Sequence, residues 1–394
     1  PLARTGQEPN SPWIFSREHR ERGSARAARQ DREATLDDTL TSLIEEWDGL
    51  GTVVSRHRET GSWIFIALHD ATLGRPTGGC RLREYPSPAE GLRDAMRLAE
   101  AMTYKWASME MPYGGGKAVL ATSGRIGADA RRTLLGRFGE VVNALRGGFL
   151  TGPDLGTTSD DMSQLGRVTR WVHCGTGAAA GADPGRFTAA GVLAGIRAGV
   201  AHLDGSADLV GKSVLVQGVG DVGGPLARLL RDAGATVMAS DVDVDLAHEV
   251  AVACDGAVVP PRDVYGVECD VYAPCAVGAT LNATTIPELR CRVVAGSANN
   301  QLARRSDADA LHERGILYAP DYVVSGGGAM GFGLMARGRV GAAEAEEEVA
   351  RRIGSALAKV FGEAERSGAS PVVAARRRAE RVLARGATTG SGGV

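Results

Sequence analysis

The sequence predicts an α/β protein of two domains, the second built on an open parallel sheet. Three observations carry the prediction. The stretch KSVLVQGVGDVGGPLARLLRDAGATVMASDVD reads strand, glycine turn, helix, strand and acid. After it, DVYAPCA, RVVAGSA and ILYAPDYVV repeat a strand-then-loop rhythm. Before it, residues 51–120 carry strand and helix patterns of their own, so a separate α/β unit precedes the glycine turn.

Composition fits this class. The chain has 394 residues, ample for two or three buried cores, and a formal net charge of -2. It is 43% hydrophobic and 23% charged, as an ordinary globular protein is. The near-neutral balance speaks against a protein built to bind nucleic acid. No apolar run reaches the roughly 18 to 20 residues a membrane span needs. The opening PLARTGQEPNSPWIF has no hydrophobic signal core, so the cytoplasm is the expected location. Cysteines at 80, 174, 254, 269, 275 and 291 form no C-x-x-C, and no His pair has zinc-finger spacing. Reduced thiols and no metal are expected.

The elements follow in order. Residues 1–38 are polar, charged and aperiodic, and read as a flexible extension or a helical arm used in assembly. GSWIFIALHDATLG holds a strand. In PSPAEGLRDAMRLAEAMTYKWASM, Leu92, Ala95, Met96, Leu98, Ala99 and Met102 recur at helical spacing, with Ser87 and Pro88 at the start. Gly114 to Gly116 are expected to end that unit, before a short buried strand KAVLAT. RRTLLGRFGEVVNAL is a helix, and GGFLTGPDLGTTSDDM a strand with a turn-rich loop. FTAAGVLAGIRAGVAHL is a long helix from residue 187. His173, Cys174 and the Gly/Ala-rich run 175–185 hold either a hinge or an exposed loop. The stretches after residue 342 are helical, and 387–394 read as a loose tail.

Gly218, Gly220 and Gly223 spell G-x-G-x-x-G between the VLVQ strand and the LARLL helix, and Asp241 closes the next strand. That is the fingerprint of a Rossmann-type dinucleotide-binding domain. Gly218, Gly220, Asp221, Val222 and Gly223 then present the helix N-terminus to a pyrophosphate. Asp241 accepts the adenine-ribose hydroxyls and repels a 2′-phosphate. Val242, Asp243, Val244 and Asp245 follow it, with no arginine, so NAD is the expected cofactor. In an open parallel sheet, ligands lie off the carboxyl ends of the strands. Ala273, Pro274 and Cys275, Ser297 to Asn300, and Ser325 to Gly328 should therefore face the crevice.

The chemistry is expected in the first domain. GGGKAVL is no phosphate loop: Met111 stands where the first glycine should be, and Ala118 replaces Ser or Thr. The glycines instead bend the chain or let another group come close to Lys117. Lysine occurs only at 105, 117, 212 and 359, and two of these four lie here in apolar surroundings. Both can also be read as ordinary surface lysines. Asp154, in TGPDLGTT, is a candidate acid, or equally an Asx-turn or helix cap.

Taken together, MTYKWASMEMPYGGGKAVL, TGPDLGTTSDDM, VLVQGVGDVGGPLARLL, DVYAPCAVGATLN, VVAGSANNQLA and GILYAPDYVVSGGGAM resemble, in this order, the leucine, valine and phenylalanine dehydrogenases of the glutamate dehydrogenase superfamily. The resemblance spans about residues 45–385. It implies Lys117 as the catalytic acid/base and Asp154 as its proton-exchanging partner. It implies Lys105 as the binder of the α-carboxylate, with Gly78 and Gly79 lining the substrate. Asn299 or Asn300 would contact the nicotinamide amide or the substrate. Met102, Thr77, Gly152, Pro153 and Val323 would form the side-chain pocket. Trp106 either shapes that pocket or packs in the core. The implied reaction is oxidative deamination of an apolar or aromatic L-amino acid to a 2-oxo acid and ammonia, in a homo-oligomer. A lysine base needs a lowered pKa, which desolvation and a second cation provide.

The implied domains are 39–180 for substrate and assembly, 181–334 for NAD, and 335–386 as helices packing back on the first domain. One departure stands out. Ser325-Gly326-Gly327-Gly328 follows PDYVV where the family usually has Asn, a small residue and Gly-Gly. It leaves open two other readings: a specialised imine or 2-oxo acid reductase, and a non-catalytic NAD-binding regulator.

Overall fold

A computed structural model describes residues 42–173, 182–336 and 340–390. The expected flexible extension 1–38 and most of the expected hinge, 174–181, lie outside the described residues. Residues 42–45 form one helical turn. The unit from Gly49 onward holds two sheets.

The first sheet is mixed, in the order β1-β2-β4-β3-β5. Its strands are β1 (Gly51–Arg56), β2 (Trp63–Asp70), β3 (Pro76–Glu84), β4 (Gly114–Thr122) and β5 (Leu150–Pro153). β2 runs antiparallel to β1 and β4, while β3 is parallel to β4 and β5. β4 is central and buried along its whole length. Helix α1 (Pro88–Ser108) covers one face, started by Ser87, whose side chain accepts from the Glu90 amide, and by Pro88 in the first turn. Gly91 of α1 lies against Ala121 and Phe65. On the other face, Ile64, Ile66, Ala118 and Leu120 form a core with Leu134, Leu135 and Phe138 of α2 (Ala128–Ala144). Because side chains alternate along a strand, Gly115, Lys117, Val119 and Ala121 share the face under α1. A short α3 (Ser159–Leu165) follows β5, opened by a capping box between Thr158 and Asp161.

The second sheet is wholly parallel, in the order β11-β10-β9-β6-β7-β8. The chain enters it through α4 (Pro184–Asp204), then β6 (Ser213–Gln217), α5 (Gly223–Asp232), β7 (Thr236–Ser240), α6 (Val244–Ala253) and β8 (Ala257–Val258). β9 (Val271–Pro274), β10 (Val293–Val294), α7 (Asp307–Glu313) and β11 (Leu317–Tyr318) complete it. The strand order reverses between β6 and β9, the topological switch point of a doubly wound sheet. Short α8 (Asp321–Val324) and α9 (Gly327–Ala336) lead to α10 (Ala342–Ser367) and α11 (Pro371–Gly390). α10 lies on α4, where Gly191 and Gly195 sit against Ile353, Val349, Leu357 and Val324.

Three expectations need correction. Gly114 to Gly116 do not end a unit: they are the first three residues of β4. Ser325 to Gly328 are not a loop: Ser325 caps α8, and Gly327 and Gly328 begin α9. The tail expected from residue 387 is helical through Gly390. Gly386 packs so closely on Leu73 and Thr72 that tertiary contact carries the helix past a composition that reads as loose. The five described cysteines are free, four buried and Cys275 half-buried. Among the described residues, no helix is long and apolar enough to cross a membrane.

Candidate active site

Each glycine before Lys117 meets a different neighbour. A Cβ on Gly114 would lie 2.0 Å from the Asp70 carbonyl oxygen. On Gly115 it would lie 1.9 Å from Thr103 Oγ1 and 2.5 Å from the Ala99 carbonyl oxygen, both on α1. On Gly116 it would strike the Phe149 ring at 2.9 Å. Gly115 therefore lets α1 lie directly on β4, on the face that Lys117 shares, while Gly114 and Gly116 admit the Asp70 backbone and the Phe149 ring. Of the two uses open to these glycines, close approach is the one the fold makes.

The same holds for β3. Its ladder to β4 lapses between Thr77↔Gly115 and Cys80↔Ala118, at Gly78 and Gly79. There β3 pairs with β5 instead, Gly78↔Thr151 and Gly79↔Gly152. A Cβ on Gly78 would fall 1.7 Å from the Gly116 carbonyl oxygen and 3.3 Å from Met102 Cγ; one on Gly79 would fall 2.6 Å from the Pro153 carbonyl oxygen and 2.8 Å from Asp154 Cβ. Gly78, Gly79, Met102, Lys117 and Asp154 thus converge.

Lys117 is 6% exposed, and its Nζ stands 2.9 Å from Asp154 Oδ2. The same oxygen accepts from Arg81 Nε at 3.0 Å. Burial alone would raise the Asp154 carboxyl, but Lys117 and Arg81 outweigh it and hold the group well below the usual carboxylate range. Asp154 is ionised throughout neutral pH. The Thr157 hydroxyl accepts from the Asp154 amide at 2.9 Å, so the residue also shapes its turn. Lys105 is half-buried, and its Nζ donates to Ser325 Oγ at 3.3 Å. Desolvation, followed by repulsion from Lys117, brings the Lys105 ammonium down to about 8, against the pull of Asp321 and Asp154. Ser325 therefore faces the second lysine of the cluster directly.

The side-chain positions divide. Val323 is fully enclosed, within the core that holds Val192 and Val324. A Cβ on Gly152 would meet only His173, at 3.7 Å, an ordinary contact. Burial lowers the His173 imidazole to about 4, with Arg75 adding to it, so it is neutral. Trp106 is 2% exposed, donates from Nε1 to the Thr77 carbonyl at 2.9 Å, and stacks at a tilt on Tyr113. It packs in the core.

At the second sheet, Gly218 has φ 87, a left-handed value suited to glycine. A Cβ on Gly223 would lie 1.8 Å from the Gly218 carbonyl oxygen, so the glycine turn folds tightly onto α5. Gly220 has nothing within 4 Å of a Cβ position, which leaves the turn open to a ligand. Asp241 Oδ2 accepts from the Val219 amide at 2.8 Å and Oδ1 from the Asp243 amide at 3.0 Å. The carboxylate is therefore anchored beside the turn with acceptor capacity to spare. Val222 caps α5 and Asp221 precedes it, its carbonyl pressed against Gly185 of α4. Ala273 and Pro274 end β9, and Ser297 hydrogen-bonds the Cys275 thiol. Asn299 and Asn300 are exposed just beyond, on a loop braced by Gln301, whose Nε2 donates to the Gly296 and Ala298 carbonyls. These residues fit a dinucleotide.

Residues 57–171 match the family model described as Glu/Leu/Phe/Val dehydrogenase, dimerisation domain, and residues 243–385 match Glutamate/Leucine/Phenylalanine/Valine dehydrogenase. The chain belongs to the Glu/Leu/Phe/Val dehydrogenase family. It is an amino-acid dehydrogenase, in a family that works with nicotinamide cofactors. It is 37% identical to the leucine dehydrogenase of Bacillus cereus over 350 residues, 88% of this chain and 93% of that one. It is 39% identical to the phenylalanine dehydrogenase of Lysinibacillus sphaericus over 280 residues, 68% of this chain and 72% of that one. The solved L-tryptophan dehydrogenase from Nostoc punctiforme superposes with a TM-score of 0.76 at 34% identity, covering 88% of this chain and 99% of that one.

Within this family member, sequence reasoning missed four participants. Arg81 is one of many arginines, and its place two residues after Gly79 is no local signal. Asp94 and Arg97 sit on α1 outside its apolar stripe, where the helical pattern gives them no distinct signal. Asp321, whose carboxyl burial pushes up, accepts from the Gln301 and Tyr322 amides and supplies negative charge near Lys105.

Proposed function

We propose that this dehydrogenase uses NAD to deaminate an apolar or aromatic L-amino acid oxidatively to its 2-oxo acid and ammonia, and runs the reverse amination. The observation that supports it best is the pair of the buried Lys117 with the half-buried Asp154 at 2.9 Å, with a second, half-buried lysine, Lys105, beside it. Two cations and one anion are what an amino-acid zwitterion and its departing amine require. The Lys105 ammonium takes the α-carboxylate. Lys117 moves a proton to and from the oxygen that adds at Cα. Asp154, held ionised, draws the amine toward itself and exchanges a proton with it. NAD, when bound on Gly218, Gly220, Asp221, Val222, Gly223 and Asp241, supplies the hydride acceptor. Asp241 repels a 2′-phosphate, which favours NAD over NADP. Room beside Gly152 favours a large side chain, in keeping with relatives that act on leucine, phenylalanine and tryptophan. The match to a dimerisation domain supports a homo-oligomer.

The test is NAD reduction by the purified protein from neutral to alkaline pH with L-Leu, L-Val, L-Phe, L-Trp and L-Glu, repeated with NADP. The expected result is preference for one apolar or aromatic acid, with NAD favoured. NADH oxidation that needs a 2-oxo acid but not ammonia would instead favour the reductase reading, which Ser325 motivates.

A pH dependence follows. Lys105 binds a carboxylate only as the cation, and that form is lost as pH rises through about 8. The kcat/KM for the amino acid should therefore fall on that alkaline limb, since this ratio reports groups of the free enzyme. Lys105→Arg stays protonated, so its residual activity should lack the limb. The same limb in that variant would remove Lys105 from the role.

A further inference from the structure

The catalytic carboxylate is wired to the second sheet. Arg81 donates from Nε to Asp154 Oδ2 at 3.0 Å and from Nη1 to Asp94 Oδ2 at 3.0 Å. Asp94 Oδ2 also accepts from the Tyr85 hydroxyl at 2.6 Å. Its other oxygen accepts from Arg97 Nη2 at 2.7 Å. Arg97 Nη1 then donates to Asn300 Oδ1 at 3.0 Å. Asn300 stands beyond β10, at the carboxyl edge of the parallel sheet, with φ 52. A second contact runs parallel to this one, Glu100 to Arg305 at 3.5 Å, one turn further along α1. The chain Asn300–Arg97–Asp94–Arg81–Asp154–Lys117 alternates polar acceptor, cation and anion without a gap. It passes from an Arg97 whose side chain is 49% exposed to a Lys117 whose side chain is 7% exposed.

We infer that Arg97 is a positioning residue for the reaction: by forking between Asn300 and Asp94 it holds Asp154, through Arg81, in its working orientation only while the Asn300 loop is docked on α1. A guanidinium suits this because its planar fork fixes two acceptors at once. Arg81 is shared by two carboxylates, so the orientation of Asp94 sets how Arg81 meets Asp154. Asp154 turns by its own χ angles unless both of its cations stay in place. Small misplacements of a reacting group are costly: about 1 Å can lower a rate about a hundredfold. The inference rests on the reading of Lys117 and Asp154 as the acid/base pair.

The experiment is a double-mutant cycle on the full-length protein with its best amino acid and NAD. Asn300→Gly removes the side chain without straining the left-handed backbone, and Arg97→Ala removes the fork at an exposed site. Each single change is expected to lower kcat about tenfold; Arg97→Ala, which touches no ligand, should leave KM for the amino acid within about twofold, whereas Asn300→Gly also removes an amide placed near the nicotinamide or substrate. The double variant should lose about tenfold, not a hundredfold, because both changes break one link. Arg97→Lys keeps the charge but cannot fork, and should fall between. Losses that multiply, or Arg97→Ala at the parental kcat, would overturn the inference. Asp154→Asn, measured alongside, separates the two levels. If it retains turnover, the acid/base reading fails and the inference with it. If it is inactive while the Arg97 variants match the parent, only the positioning role is lost.

Discussion

Lys117→Ala is expected to lower kcat for the preferred amino acid by about a thousandfold, within the 10² to 10⁴ that a placed acid/base group contributes. The side chain is central in the strict sense. β4 is the middle strand of its sheet and buried throughout, and the neighbour directly opposite Lys117 on β2 is Ala67, which carries no ionisable group. Its loss leaves Asp154 with Arg81 alone. The carboxylate then stays charged and partly paired, so the fold should survive. Breaking one partner of an isolated buried pair costs more, about 3 to 5 kcal/mol. Steady-state rates, NADH binding and a thermal melt on one preparation check the claim. An intact, NADH-binding variant that keeps a tenth of the parental kcat would remove Lys117 from the chemistry.

Gly78→Ala is expected to destabilise the protein by about 4 kcal/mol or more, at the upper end for single substitutions. The added carbon would sit 1.7 Å from the Gly116 carbonyl oxygen. That neighbour is backbone in a central strand, so it cannot swing aside as a side-chain end would. Gly152→Ala is the matched contrast. Its Cβ finds nothing nearer than 3.7 Å, and the change should cost under about 1 kcal/mol. Denaturant unfolding of both variants checks the pair of values. Equal stability of the two would mean that β3 does not approach β4 as described.

Much of this was legible beforehand because it is written locally. The period of α1, its Ser87-Pro88 start and the glycine turn before α5 each occupy a few consecutive residues. The family resemblance then supplied Lys105, Lys117 and Asp154 together. What stayed hidden depends on residues far apart in the chain. Glycine is common in turns, so Gly114 to Gly116 read as a terminus. Only the approach of Asp70, Thr103 and Phe149 shows why a strand needs them. Arg81 and Asp154 lie 73 residues apart, and Arg97 and Asn300 203. No local pattern marks such pairs in an arginine-rich chain. Trp106 could not be assigned to pocket or core until its partner, the Thr77 carbonyl, was located.

The final helix bears on how the chain comes to be assembled. α11 returns to α1: Arg376 donates to the Tyr104 hydroxyl at 3.1 Å and lies over its ring, and Arg378 pairs with Glu110. Tyr104 adjoins Lys105 on the same helix. During translation the parallel sheet has all its strands once Tyr318 has emerged, whereas α1 lacks its cover until residues 371–390 are made. The half begun first is therefore finished last, and a nascent chain passes through a stage in which the dinucleotide fold is complete while one flank of α1 is bare. That is the interval in which a helper protein, or a sister chain, has something to hold.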